Sequence, residues 1–208
     1  MTKVKICGIT NLEDARLAVG SGADAIGLNF YKNSPRYLSS TAASEIARHV
    51  EGSVSKIGVF VNQTTDEILE IVEDVGLDGI QLHGDETPEL IGNLRARCEL
   101  PVIKALRVSP DFDIGAVREY NLAGILLDGY STNARGGTGE TFDWAVARAV
   151  SELVAEIWLA GGLTPDNVRT AIEEVRPFAV DACSSLESSP GLKDARKVER
   201  FIKEAKFE

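Results

Sequence analysis

The chain opens MTKVKICGIT, an apolar run that ends on Cys7 and passes at once to Gly8. A cysteine there is either a small buried hydrophobe or a group that accepts a proton. The run GILLDG ends on a carboxylate, Asp128. Burying that charge without a partner or a task is costly, so Asp128 either caps the following loop or takes part in chemistry. A thiol and a carboxyl facing one mouth, one accepting and one donating a proton, suit isomerisation through an enol. A cysteine hydrolase would instead need a histidine beside the thiol. The only histidines are His49, in the helix-like AASEIARHV and read as solvated, and His83, in GIQLHGDE. His83 either touches a substrate or helps make a turn. Arg36, in SPRY, is either a surface charge or a planar guanidinium for a substrate carboxylate.

Two further stretches have the chemistry of an anion site. AGGLTPDNV places Gly161 and Gly162 before a helix start, and VDACSSLESSPG places Asp181, Cys183, Ser184 and Ser185 after an apolar run. Small residues let backbone N–H groups approach a phosphate without obstruction. The plainer reading is a pair of tight turns.

Eight short apolar runs position these residues: VKICG, DAIGLNF, KIGVFVN, GIQLHG, PVIKALRV, GILLDG, EIWLAGG and FAVDACS. Between them lie segments with apolar residues at three- and four-residue spacing, including a short FDIGAVREY. Thr64 or Thr65 and Thr164-Pro165 supply helix starts. Strict alternation predicts a parallel sheet covered by helices, and eight units fit a closed (β/α)₈ TIM barrel, one domain over residues 1–208. An open doubly wound sheet is the alternative, but the first turn, CGIT, has no G-x-G-x-x-G and no Walker A loop is present. In a barrel the candidate residues gather on the C-terminal rim, where the loops after strands seven and eight commonly hold phosphate. Alternation puts Lys5 and Cys7 on one face with Val4 and Ile6 on the other, and sets Asp128 opposite Ile125 and Leu127. Lys5 either lowers the thiol pKa or pairs with an interior carboxylate. RGGTGETFDW reads as a lid or an ordinary loop, returning to a helix through Phe142-Asp143-Trp144.

Composition narrows the partners. The 22 basic and 32 acidic residues give a net charge of −10, and no Lys/Arg run offers a polyanion a patch, so neither nucleic acid nor a membrane is expected as partner. Three scattered cysteines, Cys7, Cys98 and Cys183, argue against a disulfide framework and a zinc site. With no apolar stretch of spanning length and no secretory pattern at the start, the expected location is the cytosol.

Across its whole length the chain resembles the phosphoribosylanthranilate isomerases, through KICGIT, SPRYLS, GVFVN, QLHGDE, LLDGYS, GGTGETFDW, LAGGLTPDNV and VDACSSLESSPGLKD. The resemblance implies a barrel that converts N-(5-phosphoribosyl)anthranilate to 1-(2-carboxyphenylamino)-1-deoxyribulose 5-phosphate by an Amadori rearrangement, with no metal or organic cofactor. It implies Cys7 as general base, Asp128 as general acid, Arg36 on the anthranilate carboxylate, and His83 and Asp181 along the sugar. It also implies phosphate on the backbone of Gly161, Gly162, Ser184 and Ser185. The acid and base need opposed tuning, because a free thiol is mostly protonated and a free aspartate mostly ionised at neutral pH.

The chain departs from the family's usual DVSSG after strand eight, with Cys183 where a serine is common and Ser185 where a glycine is. A positive φ at position 185 would strain a serine. Related phosphosugar aldose–ketose isomerases share the fold but rely on paired aspartates, and a metal-dependent epimerase needs more histidines. A non-catalytic barrel that binds a phosphorylated metabolite is the reading from another class. Oligomeric state is not legible in the sequence.

Overall fold

The computed structural model describes residues 1–122, 124–129 and 142–207. Eight strands follow one another around a closed parallel barrel: β1 (Lys3–Cys7), β2 (Ala25–Asn29), β3 (Ser55–Phe60), β4 (Gly79–Leu82), β5 (Val102–Val108), β6 (Gly124–Gly129), β7 (Glu156–Leu159) and β8 (Ala179–Ala182). Closure comes from β1 pairing with β8, in a register that sets Lys5 beside Asp181. The expected TIM barrel is therefore what forms.

Among the described residues seven α-helices cover it: α1 (Leu12–Ser21), α2 (Ser40–His49), α3 (Thr65–Val75), α4 (Pro88–Arg95), α5 (Trp144–Ser151), α6 (Val168–Val175) and α7 (Ala195–Ala205). The remaining cover, between β5 and β6, is a 3₁₀ helix over Ile114–Tyr120 rather than an α-helix. Asp113 accepts from the N–H of Gly115 at its start, and Asn121 ends it in the left-handed conformation, so the segment closes before a second α turn develops. Thr64 caps α3 through a reciprocal capping box with Glu67. At Thr164-Pro165 the start comes later than the sequence suggests. Thr164 accepts from the N–H of Asp166, Asn167 accepts from the N–H of Thr164, and this turn precedes the first residue of α6, Val168. Residues 135–141 of the expected lid lie outside the described residues; Asp143 caps α5 by accepting from the N–H of Ala145.

Strand alternation divides the apolar side chains into two cores. Val4, Ile6, Ile125 and Leu127 point outward and pack with the helices, as their parity predicts. Ile103, Ala105, Leu126, Trp158, Ala160 and Ala179 form a smaller cluster, with Phe178 beside it and its ring 5.7 Å from that of Trp158. Other inward positions carry the polar groups Lys5, Cys7, Gln81, Asp128 and Asp181, all buried. Polar groups gathered in this way need partners, and those partners define the site below.

One buried pair lies in the wall that supports this mouth. Lys104 of β5 donates to Glu86 and to the carbonyl of Gly84, each at 2.7 Å, while Glu86 accepts from the N–H groups of Asn62 and Gly84. The β3 and β4 loops are thus tied to β5 by a single carboxylate. Glu86→Ala leaves the Lys104 charge buried without its carboxylate and should cost about 3–5 kcal/mol of stability. Urea unfolding measures this, and the double change Glu86→Leu with Lys104→Met should lose less than Glu86→Ala alone.

Candidate active site

Cys7 closes β1 inside the barrel and is 9% exposed. Its neighbour on β2 is Gly27, where a Cβ would stand 2.7 Å from Cys7 Sγ and 3.2 Å from Lys5 Nζ, so glycine leaves the space that the thiol and the ammonium fill. Lys5 is fully buried and bonds to Asp181 at 3.0 Å. Both alternatives left open for Lys5 are realised, because it pairs with an interior carboxylate and also acts on Cys7. The thiol of Cys7 is lowered well below the ordinary thiol range, first by its hydrogen bond with Cys183, then against burial by the charges of Lys5 and Lys193. Cys183 moves the opposite way, raised by the same hydrogen bond and by burial. Of the two thiols, Cys7 is the one that its surroundings favour as thiolate.

Burial also raises Asp181, to about 7, against the pull of Lys5 and with added repulsion from Cys7 and Asp128. Lys5 itself is held above the ordinary lysine range, since Asp181 and Cys7 outweigh the burial that disfavours its charge. The inner mouth thus sets the Lys5 ammonium between a thiol favoured toward its anion and a carboxyl that titrates near neutrality.

On the opposite wall, Asp128 and His83 meet, with His83 Nε2 3.3 Å from Asp128 Oδ2. Gln81 stands two residues before His83 and therefore on the same face, and its amide lies 2.9 Å from His83 Nδ1. With that amide donating to Nδ1, the ring proton sits on Nε2 and points at Asp128. His83 is thus a mouth residue, whereas His49 is exposed on α2.

Arg36, in the loop between β2 and α2, is held from the side by Glu187. Its Nε and Nη2 donate to the two oxygens of Glu187, each at 2.7 Å. This bidentate clamp leaves the Nη1 end of the guanidinium for another carboxylate. Glu187 and Lys193 belong to a small hairpin, β9 (Glu187–Ser189) with β10 (Leu192–Lys193), where the sequence suggests only a loop of small residues. Lys193 donates to Glu187 at 3.2 Å and lies 3.9 Å from Cys183 Sγ. The Pro190-Gly191 dipeptide, a turn signal between Glu187-Ser188-Ser189 and Leu192-Lys193, was the feature that could have revealed this hairpin. Its charged residues reach the mouth only because the hairpin folds back over it.

The two small-residue loops lie next to each other. Gly161 and Gly162 both have positive φ, and a Cβ on Gly161 would meet the backbone N of Gly129 at 2.1 Å, so the turn requires glycine there. The tight-turn reading of this stretch holds, and it coexists with the anion reading: among the described residues nothing accepts from the N–H groups of Gly161 and Gly162. Ser184 and Ser185 lie in a 3₁₀ turn over Ser184–Leu186, and Ser185 donates its hydroxyl to the carbonyl of Leu163. Ser185 does not take a positive φ, so the strain foreseen for a serine at that position does not arise. Among the described residues no cluster of His, Cys, Asp and Glu is placed to hold a metal ion. Among the described residues no helix is long and apolar enough to cross a membrane.

The chain is similar over nearly its whole length to known proteins. Residues 4–204 match the family model described as N-(5'phosphoribosyl)anthranilate (PRA) isomerase. The chain is 48% identical over 206 residues to the N-(5'-phosphoribosyl)anthranilate isomerase of Geobacter sp. (strain M21), covering 99% of this chain and 98% of that one. It superposes on phosphoribosyl anthranilate isomerase from Thermotoga maritima with a TM-score of 0.92 at 44% identity, covering 99% of each chain. A similar match, TM-score 0.88 at 43% identity with 99% of each chain covered, is to a phosphoribosyl anthranilate isomerase in complex with reduced 1-(o-carboxyphenylamino)-1-deoxyribulose 5-phosphate.

The raised Asp181 carboxyl has a measurable consequence. Its folded pKa, about 7, exceeds its ordinary value of 3.8, so across that interval the folded chain holds a proton that the unfolded chain has released. Asp181 therefore makes stability fall as pH rises from 3.8 to about 7 and adds no slope above. Asp181→Asn should remove that part of the pH dependence, read as unfolding temperature against pH.

Proposed function

The chain belongs to the N-(5'-phosphoribosyl)anthranilate isomerase family, and from that premise we propose how its mouth performs the rearrangement of N-(5-phosphoribosyl)anthranilate. It is an isomerase of tryptophan biosynthesis that takes a small phosphorylated substrate. The observation that carries the mechanism is the placement of Cys7 at the end of β1 beside the buried Lys5, on the same barrel mouth as the buried Asp128, with surroundings that favour the thiolate.

Asp128, as general acid, protonates the furanose ring oxygen. The C1–O bond breaks as the anthranilate nitrogen lone pair forms the C=N bond of the open-chain Schiff base. Cys7 thiolate then removes the C2 proton, the C2–H electrons form the C1=C2 double bond, and the C=N electrons return to nitrogen. The resulting enolamine tautomerises to 1-(2-carboxyphenylamino)-1-deoxyribulose 5-phosphate. His83 orients the Asp128 carboxyl through the 3.3 Å contact, and its own ring is fixed by Gln81. Arg36 takes the anthranilate carboxylate on the guanidinium end that Glu187 leaves open. Asp181 lies along the sugar, and phosphate sits on the backbone of Gly161, Gly162, Ser184 and Ser185.

The scheme draws its acid, base and binding groups from residues of this one chain, and residues 1–208 act in it as one domain. A cytosolic location suits an amino-acid biosynthetic enzyme with three free thiols.

Substrate fluorescence supplies the test, with phosphoribosylanthranilate generated in place from anthranilate and phosphoribosyl pyrophosphate. The parent protein should abolish the signal, while Cys7→Ala and Asp128→Asn should each lose about 10²–10⁴ in kcat/KM, the range for a general acid or base. Parent-like turnover in either variant overturns its role. Arg36→Met should raise KM more than it lowers kcat, because it removes binding that ground state and transition state share.

A further inference from the structure

The mouth holds a second thiol that the rearrangement does not use. β1 and β8 are paired neighbours, with Lys5 beside Asp181 and Ile6 beside Ala182, so one register step further brings Cys7 and Cys183 abreast. Adjacent strands lie about 4.8 Å apart, inside the roughly 4.4–6.8 Å of Cα separation that a disulfide spans. Cys183 leans toward β1, since a Cβ on Gly8 would stand 2.7 Å from its sulfur. Two thiols, one of them facing an open mouth, therefore share a wall of the site.

We propose that Cys7 and Cys183 form a peroxide-reactive dithiol, a modification site in which a hydroperoxide converts the proton-transfer thiol into a disulfide and stops turnover. Cys7 thiolate attacks the terminal oxygen of the hydroperoxide; an S–O bond forms, the O–O bond breaks, and the alkoxide leaves and takes a proton. Cys183 sulfur then attacks the Cys7 sulfenic acid. The S–S bond forms, the S–O bond breaks, and the hydroxide takes up the Cys183 proton and leaves as water. The two sulfurs together give up two electrons and the peroxide gains them.

The surroundings favour both halves of this sequence. Lys5 and Lys193 stabilise Cys7 as thiolate, the form that attacks peroxide. While Cys7 is anionic it keeps the Cys183 proton in place. Once Cys7 is a neutral sulfenic acid that effect is gone, and Lys193, 3.9 Å from the Cys183 sulfur, together with Arg36 favours its ionisation against the Glu187 carboxylate, which the same sulfur meets at 3.9 Å. Cys98, the third free cysteine, follows α4 at the opposite end of the barrel and stands as an internal control.

The loss of activity rests on the role proposed for Cys7, whereas the disulfide itself does not. The test treats the full chain with hydrogen peroxide and reads intact mass, peptide mapping and activity with and without dithiothreitol. Expected is a chain two hydrogen atoms lighter, a Cys7–Cys183 cross-linked peptide, and an activity loss that dithiothreitol reverses. Cys98→Ser should behave as the parent. Cys183→Ser, confirmed folded by circular dichroism, should instead carry Cys7 on to the sulfinic acid, a loss that dithiothreitol does not reverse. A parent chain in which Cys7 ends as the sulfinic acid without the cross-link, or in which both thiols survive peroxide, overturns the proposal. A cross-link with undiminished activity would leave the dithiol standing and overturn the role of Cys7 as base.

Discussion

The candidate site is organised around Lys5, which with Lys193 is one of its buried ammonium groups. Lys5 has no exposed side-chain surface, and an ammonium taken out of water is tolerated only where charges of the other sign meet it at close range. Asp181 meets it at 3.0 Å from the neighbouring strand, and Cys7 meets it from the same strand. The register that closes the barrel is the register that forms the ion pair, so closure of the fold and assembly of the charge network are one event. Had β8 paired with β1 one residue out of step, Asp181 would have turned outward among the helices and left Lys5 alone.

The rest of the interior is divided to protect that network. An aromatic and aliphatic cluster around Trp158 and Leu126 fills part of the barrel with apolar side chains, while the rim keeps the polar groups. The rim residues stand on strand ends or in the short turns after them, which limits their freedom before any substrate arrives. The β9–β10 hairpin adds Glu187 and Lys193 from the side, so Arg36 is aimed by a clamp rather than by its own loop. Preorganisation of this kind lets oriented charges act without first rearranging water.

The thiol and the carboxyl assigned to proton transfer sit in different surroundings. Cys7 is flanked by cations and by a thiol that donates to it, which favours the anion. Asp128 is engaged by His83, itself held by Gln81, which fixes direction. Asp181 lies close enough to Asp128 for the two carboxylates to repel. The proton inventory of the mouth is therefore shared, and substrate arrival acts on all of these groups together.

The sequence alone was enough for the eight-fold strand and helix alternation, and therefore the barrel. A period of two and a period near three and a half are local properties of neighbouring residues. Parity likewise assigned Val4, Ile6, Ile125 and Leu127 to the outer core and sent Cys7 and Asp128 inward. Tertiary structure decided what these inward groups touch. Lys5 and Asp181 are separated by 176 positions, and Arg36 and Glu187 by 151, so no local pattern could pair them. The late start of α6 and the 3₁₀ turn in place of an α-helix were also beyond periodicity, because both follow from side chains competing for particular backbone groups. The state of Cys7 belongs to the fold for the same reason: a thiol's acidity is set by the charges packed around it, and only closure of the barrel brings Lys5, Lys193 and Cys183 to one sulfur.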